Sequence, residues 1–487
     1  MKNLQRKILN LIFARLDGDK INDKIYVKYI EKLVKDGIGG FVLFGGKYEE
    51  IKNFISYIQS LSSRRLIISS DIERGVGQQI KDATIIPSQM GITAGFDISQ
   101  NKIELETIYL NVIKEAIDVG INLALLPVLD VNTEPENPII CTRAFSDNSE
   151  IVSEYGCFVI EKFESCGLKT CGKHFPGHGC TVSDSHLELP IFNGELESHL
   201  KPFKAAIKKN VSSIMIGHLL IPELDEMPST LSEKIINKLL RQDLSFNGVV
   251  MTDAMNMKAL ENYKNPCTLA FKAGADIILH PEDPYKSAEE IKNAYEKGFI
   301  SDKRIQSALI KVETIRHKIN NQNLNTLKDP LPQSLNLVEV FKKTVTVIKN
   351  EINHINKYRV VSYLTGNYNE EIKKIFMKYF TTVDDLENLN KKDENLPLIA
   401  IFTDIGFGKT HTLNNSDIVI IKNFIKKNDA IVVSFGNPYV LKFFNNAKTI
   451  VALYDSNEFA VRAFLENFKE GLKESGRLPV RIPWSDE

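Results

Sequence analysis

The chain is short of the features that mark several protein classes. Lysine plus arginine (61) nearly balances aspartate plus glutamate (62), so no excess positive charge points to nucleic acid or an anionic membrane. No long like-charge run stands out either; the many lysines are interleaved with acids, as on a solvated surface. The six cysteines (Cys141, Cys157, Cys166, Cys171, Cys180 and Cys267) form no CxxC pair, which argues against structural zinc. A chain of 487 residues has no need of disulfide staples, so a reducing compartment is expected. No apolar run reaches the ~18 residues that a membrane span requires. Lys2, Arg6 and Lys7 precede the apolar Ile8 to Ala14, as in a signal peptide, but Asn10 interrupts that stretch and Arg15 ends it. It reads as a first strand, and a cytoplasmic location is expected.

What is present is a repeating pattern. Hydrophobic residues make up 43% and charged residues 25%, the balance of a globular protein, and the length calls for two domains. Eight short apolar runs alternate with segments of helical spacing: 11–18, 39–46, 65–72, 122–131, 168–175, 212–219, 248–254 and 275–280. Eight strands alternating with helices predict a (β/α)8 barrel over residues 1–325. A doubly wound sheet is the alternative, but no GxGxxG follows the first strand. The runs end in polar groups: Asp71 and Glu73, Asp130, Lys173 and His174, His218, Asp253, and His280. Each alone could be an ordinary loop starter; in a barrel all would meet at the C-terminal face.

Residues 326–345, with Pro330 and Pro332, read as a linker. A second alternating pattern follows over 346–487, with strand candidates at 359–364, 396–405, 429–438 and 448–455. It predicts a smaller α/β sandwich domain of parallel strands. Its GFGKT (406–410) ends like a phosphate-binding loop, but Thr403 stands where that motif needs glycine. Nucleotide hydrolysis is therefore not expected.

The densest chemistry lies in KHFPGHGCTVSDSH, Lys173 to His186, which holds three of the nine histidines in fourteen positions. His174, His178, Asp184 and His186 match no compact metal motif such as HExxH, so no metal and no cofactor are expected. In an extended loop Asp184 and His186, two apart, can turn to the same side. The carboxylate then orients the imidazole and stabilises its charged form. A Gly/Pro-rich loop could carry that pair to a substrate.

KHFPGHG followed by DSH resembles the signature of the β-N-acetylglucosaminidases of glycoside hydrolase family 3. MTDAMNMKAL (251–260) is similar to that family's nucleophile segment, and NPIICTRAFSDN (137–148), PSTLS (228–232), FGNPYVLKFF and GRLPVRIP extend the likeness along the chain. The resemblance implies Asp253 as a nucleophile forming a covalent glycosyl-enzyme, with His186 as acid/base and Asp184 as its orienting partner. It implies sugar contacts from Asp71, Arg143, Lys173 and His174. Gln79 stands where many members place an arginine, so that contact loses its charge assistance.

The resemblance implies a retaining, exo-acting β-N-acetylglucosaminidase, or β-N-acetylhexosaminidase; the spacing of the residues alone shows a barrel-top pocket with acid/base and nucleophile candidates. Its expected substrate is a small glycan with a terminal N-acetylglucosamine, such as a peptidoglycan fragment in cell-wall recycling. No nucleic-acid or membrane partner is expected, and nothing in the sequence sets an oligomeric state. A β-N-acetylglucosaminide phosphorylase, another β-glycosidase of the family, and a degenerate sugar-binding protein are the alternatives. The intact DSH triplet speaks against a carboxylate acid/base. Asp253, Asp184 and His186 together speak against a degenerate site.

Overall fold

The computed structural model describes residues 2–320, 335–352, 355–389, 395–406, 408, 409 and 411–485. The chain divides into two compact units. The first comprises Met1–Ile85, Glu106–Val131 and Ser149–Gln333; the second comprises Ile86–Leu105, Asn132–Asn148 and Ser334–Glu487.

The first unit is a (β/α)8 barrel. Its strands are β1 (Ile12–Asp17), β2 (Gly40–Phe44), β3 (Ile67–Ser70) and β4 (Leu123–Ala124). The remaining four are β5 (Lys169–Phe175), β6 (Ser213–Ile216), β7 (Val249–Thr252) and β8 (Ile278–Leu279). They run in the order β7-β6-β5-β4-β3-β2-β1-β8, with every pair parallel. A parallel bridge between Met251 and Ile277 closes the ring. At the closure Thr252 N donates to Ile277 O at 3.1 Å, and Asp276 N donates to Val250 O at 2.7 Å. The buried Asp276 reinforces it, accepting from Val250 N at 3.0 Å and pairing with Arg241 at 2.5 Å and Arg304 at 3.2 Å.

All eight predicted apolar runs contain their strand. One expectation needs correction: Ile8 and Leu9 do not begin β1 but end a helix, Lys2–Leu9. Ile8 and Leu9 are buried, and β1 itself starts at Ile12. The apolar run is therefore the buried end of a helix followed by a strand.

Local chemistry sets the helices between strands. The helix Lys24–Asp36 starts at Asp23, whose carboxylate accepts from Ile25 N and Tyr26 N. It stops at Gly37, where φ of 99° suits glycine. Asp283 caps the helix Pro284–Glu296 in the same way, with Pro284 at its first position.

The second unit contains a six-stranded sheet of β9 (Thr346–Asn350), β10 (Val360–Gly366), β11 (Val383–Asp385), β12 (Leu396–Phe402), β13 (Ile431–Phe435) and β14 (Thr449–Leu453). Its order is β11-β10-β12-β13-β14-β9. The prediction of parallel strands is corrected at one edge, because β9 pairs antiparallel to β14. β12, β13 and β14 are buried along their whole length, as expected for strands covered on both faces. Phe376, Phe464 and Phe468 cover one face, and Ile421, Ile425, Tyr439 and Leu441 the other.

Two inserted segments count with this unit because of specific ties. Ser88 N donates to Asp455 Oδ2 at 2.9 Å, Asn132 Nδ2 to the Tyr439 hydroxyl at 3.0 Å, and Ser146 Oγ to Pro479 O at 2.6 Å. Of the stretch expected as a linker, residues 326–334 lie outside the described residues, while Leu337–Lys342 is helical.

Candidate active site

The strand ends gather their polar groups inside the mouth of the barrel. Lys173, at 1% exposure, pairs with Asp71 at 2.5 Å and with the buried Glu73 at 2.6 Å. Asp71 follows β3 and Lys173 lies on β5, with β4 between, so they meet across the interior. Cys171 Sγ and Met251 Sδ, 3.3 Å apart on β5 and β7, likewise meet inside the ring. Two residues above Met251 is Asp253, on the same face by the period-two rule.

Asp253 is 8% exposed, and its Oδ1 accepts from Ala254 N at 2.7 Å. Burial alone would raise its pKa. The nearby His174 and His218, the Ala254 N–H and His186 outweigh burial and hold it at about 2. The carboxylate is therefore ionised at neutral pH. His218 fixes the backbone behind it: Nε2 faces the Ala254 carbonyl at 3.0 Å, and Nδ1 meets the Thr230 hydroxyl at 2.7 Å. Since a carbonyl only accepts, Nε2 carries the proton. Burial lowers the pKa of His218, which keeps this arrangement neutral.

The loop after β5 starts from a second fixed point. Asp130 is fully buried; it accepts from His174 Nδ1 at 2.7 Å, His174 N at 3.2 Å and His178 N at 2.6 Å. Burial raises its pKa, but His174 and then His178 bring it below the ordinary carboxylate value. His178 is buried with Nδ1 at 2.8 Å from the Thr181 hydroxyl; burial and then His174 hold it at about 4. Gly177, with φ of 141°, passes so close to His199 that a Cβ would lie 2.8 Å from its Cβ. The glycine is required there by both conformation and space.

Further along, Asp184 Oδ1 accepts from His186 N at 2.8 Å and lies 2.7 Å from its Nδ1. Burial raises the pKa of Asp184, and these bonds from His186 lower it to a net value below the ordinary one. This contact fixes the ring through Nδ1. The loop is docked through Ser185, whose carbonyl accepts from Ala259 N at 3.3 Å. That ties the pair to the segment following Asp253.

The structure thus brings together Asp71, Lys173, His174, Asp184, His186 and Asp253. Gln79 is half-buried at the end of the turn Val76–Gln78, on the loop that follows Asp71. Arg143 belongs to the second unit, where its Nη1 donates to Ile139 O at 2.9 Å. Sequence reasoning named Glu73, Asp130 and His218 as strand ends without giving them a part. Their signal was the position; the partner could come only from the fold. Among the described residues, no group of three or more His, Cys, Asp or Glu is arranged to hold a metal ion. No helix among them is long and apolar enough to cross a membrane.

A parallel barrel with ionised carboxylates and an aspartate-backed histidine at its strand ends has the frame of a barrel enzyme. Residues 3–315 match the model of the glycosyl hydrolase family 3 N terminal domain, and the chain belongs to this family. Beta-hexosaminidase A of Pseudoalteromonas piscicida is 29% identical over 366 residues, covering 66% of this chain and 61% of the relative. The chain thus spans about three fifths of that relative's length. Among solved structures, a glycoside hydrolase family 3 beta-N-acetylglucosaminidase from Paenibacillus sp. str. FPU-7 superposes with TM-score 0.84 at 23% identity, covering 99% of each chain. The beta-glucoside phosphorylase BglX, bound to 2FGlc, gives TM-score 0.85 at 22% identity, covering 99% of this chain and 94% of its own. At these identities the two structures speak for the fold.

Proposed function

We propose that the chain is a retaining exo-β-N-acetylglucosaminidase that removes a terminal N-acetylglucosamine from a small glycan. The observation that carries this is the pairing of an ionised Asp253 with an Asp184–His186 pair tied through Ser185 to the same segment. The relative named beta-hexosaminidase supports the substrate class. Asp253 attacks the anomeric carbon while His186 Nε2 protonates the departing oxygen. The glycosyl-enzyme is then released by water, deprotonated at the same nitrogen. Asp184 holds the ring and stabilises the imidazolium. Lys173, Asp71 and His174 bind sugar hydroxyls, and the Gln79 amide adds a neutral hydrogen bond.

A peptidoglycan fragment is the natural substrate we favour, on the likeness of the loop motif. The six cysteines are free, which fits a reducing compartment such as the cytoplasm. Because a histidine and not a carboxylate occupies the acid/base position, phosphate is a second acceptor to test. The deciding assay uses a chromogenic β-N-acetylglucosaminide, with proton NMR of the first-formed anomer. Release of the β-anomer is expected. Absence of turnover would leave a sugar-binding protein, and the α-anomer would exclude the covalent intermediate.

A further inference from the structure

We infer that Arg15 is a specificity-determining residue of this site, receiving a carboxylate carried by the leaving-group sugar. Its placement follows from the register. Arg15 is partnered with Val42, and Val42 with Ser69, while Ser69 and Asp71 are two apart along the chain. Partners in parallel strands share a face, so Arg15 points to the same interior as Asp71 and Lys173. Its side chain is 44% exposed, at the end of β1.

What surrounds it is a prepared platform. The guanidinium lies over the Phe44 ring, 4.6 Å from the centroid, and His280 lies 6.1 Å from Phe44, ring to ring. Burial and then Arg15 hold His280 near pKa 4, so it adds no charge beside the guanidinium. The same imidazole feels Asp253, which places this wall within electrostatic reach of the nucleophile. A guanidinium stacked on a ring keeps its N–H edge available to a planar anion.

Among the described residues that edge makes one long ion pair, to Asp17. Among the described residues the guanidinium donates no hydrogen bond, and its nearest carboxylate oxygen is Asp17 Oδ2 at 3.7 Å. Asp17 is already engaged by Lys20 at 3.2 Å and by Asp19 N. Lys173, a second cation of the mouth, is taken up by two carboxylates. A carboxylate matches the guanidinium fork with two charge-assisted bonds, which a neutral hydroxyl does not. It also offsets the repulsion that Asp253, Asp71 and Glu73 exert on any acid entering the mouth.

The inference rests on the proposed glycosidase reading at one point. N-acetylglucosamine itself is neutral, so the carboxylate must belong to the leaving group. N-acetylmuramic acid, with its lactyl ether, is the probe of that chemistry.

The test compares β-1,4-linked N-acetylglucosaminyl-N-acetylmuramic acid with its lactyl methylamide, which differs only in charge. In Arg15→Met the acid-to-amide ratio of kcat/KM is expected to fall about tenfold, mainly through KM, with partial recovery in Arg15→Lys. A ratio within about twofold of wild type, including an equal loss on both substrates, overturns the assignment. Calorimetry on Asp253→Asn, with and without Arg15→Met, reads binding without turnover. If neither disaccharide is cleaved but the acid binds about tenfold more weakly without Arg15, the hydrolase reading fails and this one stands. Arg15-independent binding of the acid sinks this one alone.

Discussion

Asp130 with His174, and Asp184 with His186, meet at the same 2.7 Å between carboxylate oxygen and Nδ1. The settings differ. The His174 and Asp130 side chains are 8% and 0% exposed, while those of His186 and Asp184 are 27% and 10% exposed. Asp130 accepts from two backbone N–H groups as well and so anchors the start of the loop. Asp184 holds the His186 imidazole through Nδ1. The same residue pair thus occurs twice, nearly closed where Asp130 anchors the start of the loop and half-open as proposed chemistry. The contact distance is the same in both; the exposure differs.

The largest effect is expected at the group both pairs serve. Asp253→Asn keeps the side-chain size but removes the proposed nucleophile, so turnover should fall by about three orders of magnitude or more. The melting temperature should change little, and a slow fluorosugar should trap no covalent adduct. Near-normal turnover would leave neither pair with a reaction to support.

The nearly closed pair should show itself in stability. Asp130→Ala leaves His174 and two backbone N–H groups without their buried acceptor, at a cost of about 3–5 kcal/mol. The sign with pH follows from the lowered value of Asp130. Its contribution is complete above the ordinary carboxylate pKa of ~3.9 and is lost as pH falls through its lower folded value. Urea unfolding of wild type and Asp130→Asn should therefore differ most near neutrality and converge in acid. A gap that widens in acid would reverse the assignment.

The half-open pair should show itself in chemistry with little change in stability. His186→Ala should slow a sugar leaving group about a hundredfold or more, and an activated aryl leaving group much less, because the latter needs little protonation. Asp184→Ala should follow the same pattern more mildly. Equal slowing of good and poor leaving groups would remove this pair from acid/base work.

The barrel was legible in the sequence because each strand is a compact apolar run ending in a polar group. Asp253 and the Asp184–His186 pair were legible because their motifs are contiguous. What stayed hidden depends on partners far along the chain. Asp130 and His178 are 48 residues apart, and His218 reaches the Ala254 carbonyl from the segment after β6, 36 residues away. No local pattern announces such contacts. The segments Ile86–Leu105 and Asn132–Asn148 likewise sit inside the barrel's stretch of sequence yet count with the second unit. The run at Ile8 was misread for a simpler reason: short apolar stretches do not distinguish a buried helix end from a strand.

The smallest expected effect concerns the acceptor, and it asks why the half-open pair ends in a histidine. A carboxylate base would repel an incoming phosphate by about 1 kcal/mol per charge pair at 4 Å in water, and about 4 at an effective dielectric near 20. A neutral imidazole removes that repulsion and a protonated one reverses it. Asp184 contributes negative charge at Nδ1, across the ring from the nitrogen proposed to meet the acceptor. Lys173 offers no clear phosphate clamp, since Asp71 and Glu73 already hold it. Hydrolysis should therefore dominate, with a minor yield of N-acetylglucosamine 1-phosphate when the reaction runs in millimolar phosphate. Phosphorus NMR of the products measures that yield. Free sugar alone, at a rate indifferent to phosphate, makes the histidine a proton carrier only; a dominant phosphorylated product would make the imidazole's missing charge its main purpose.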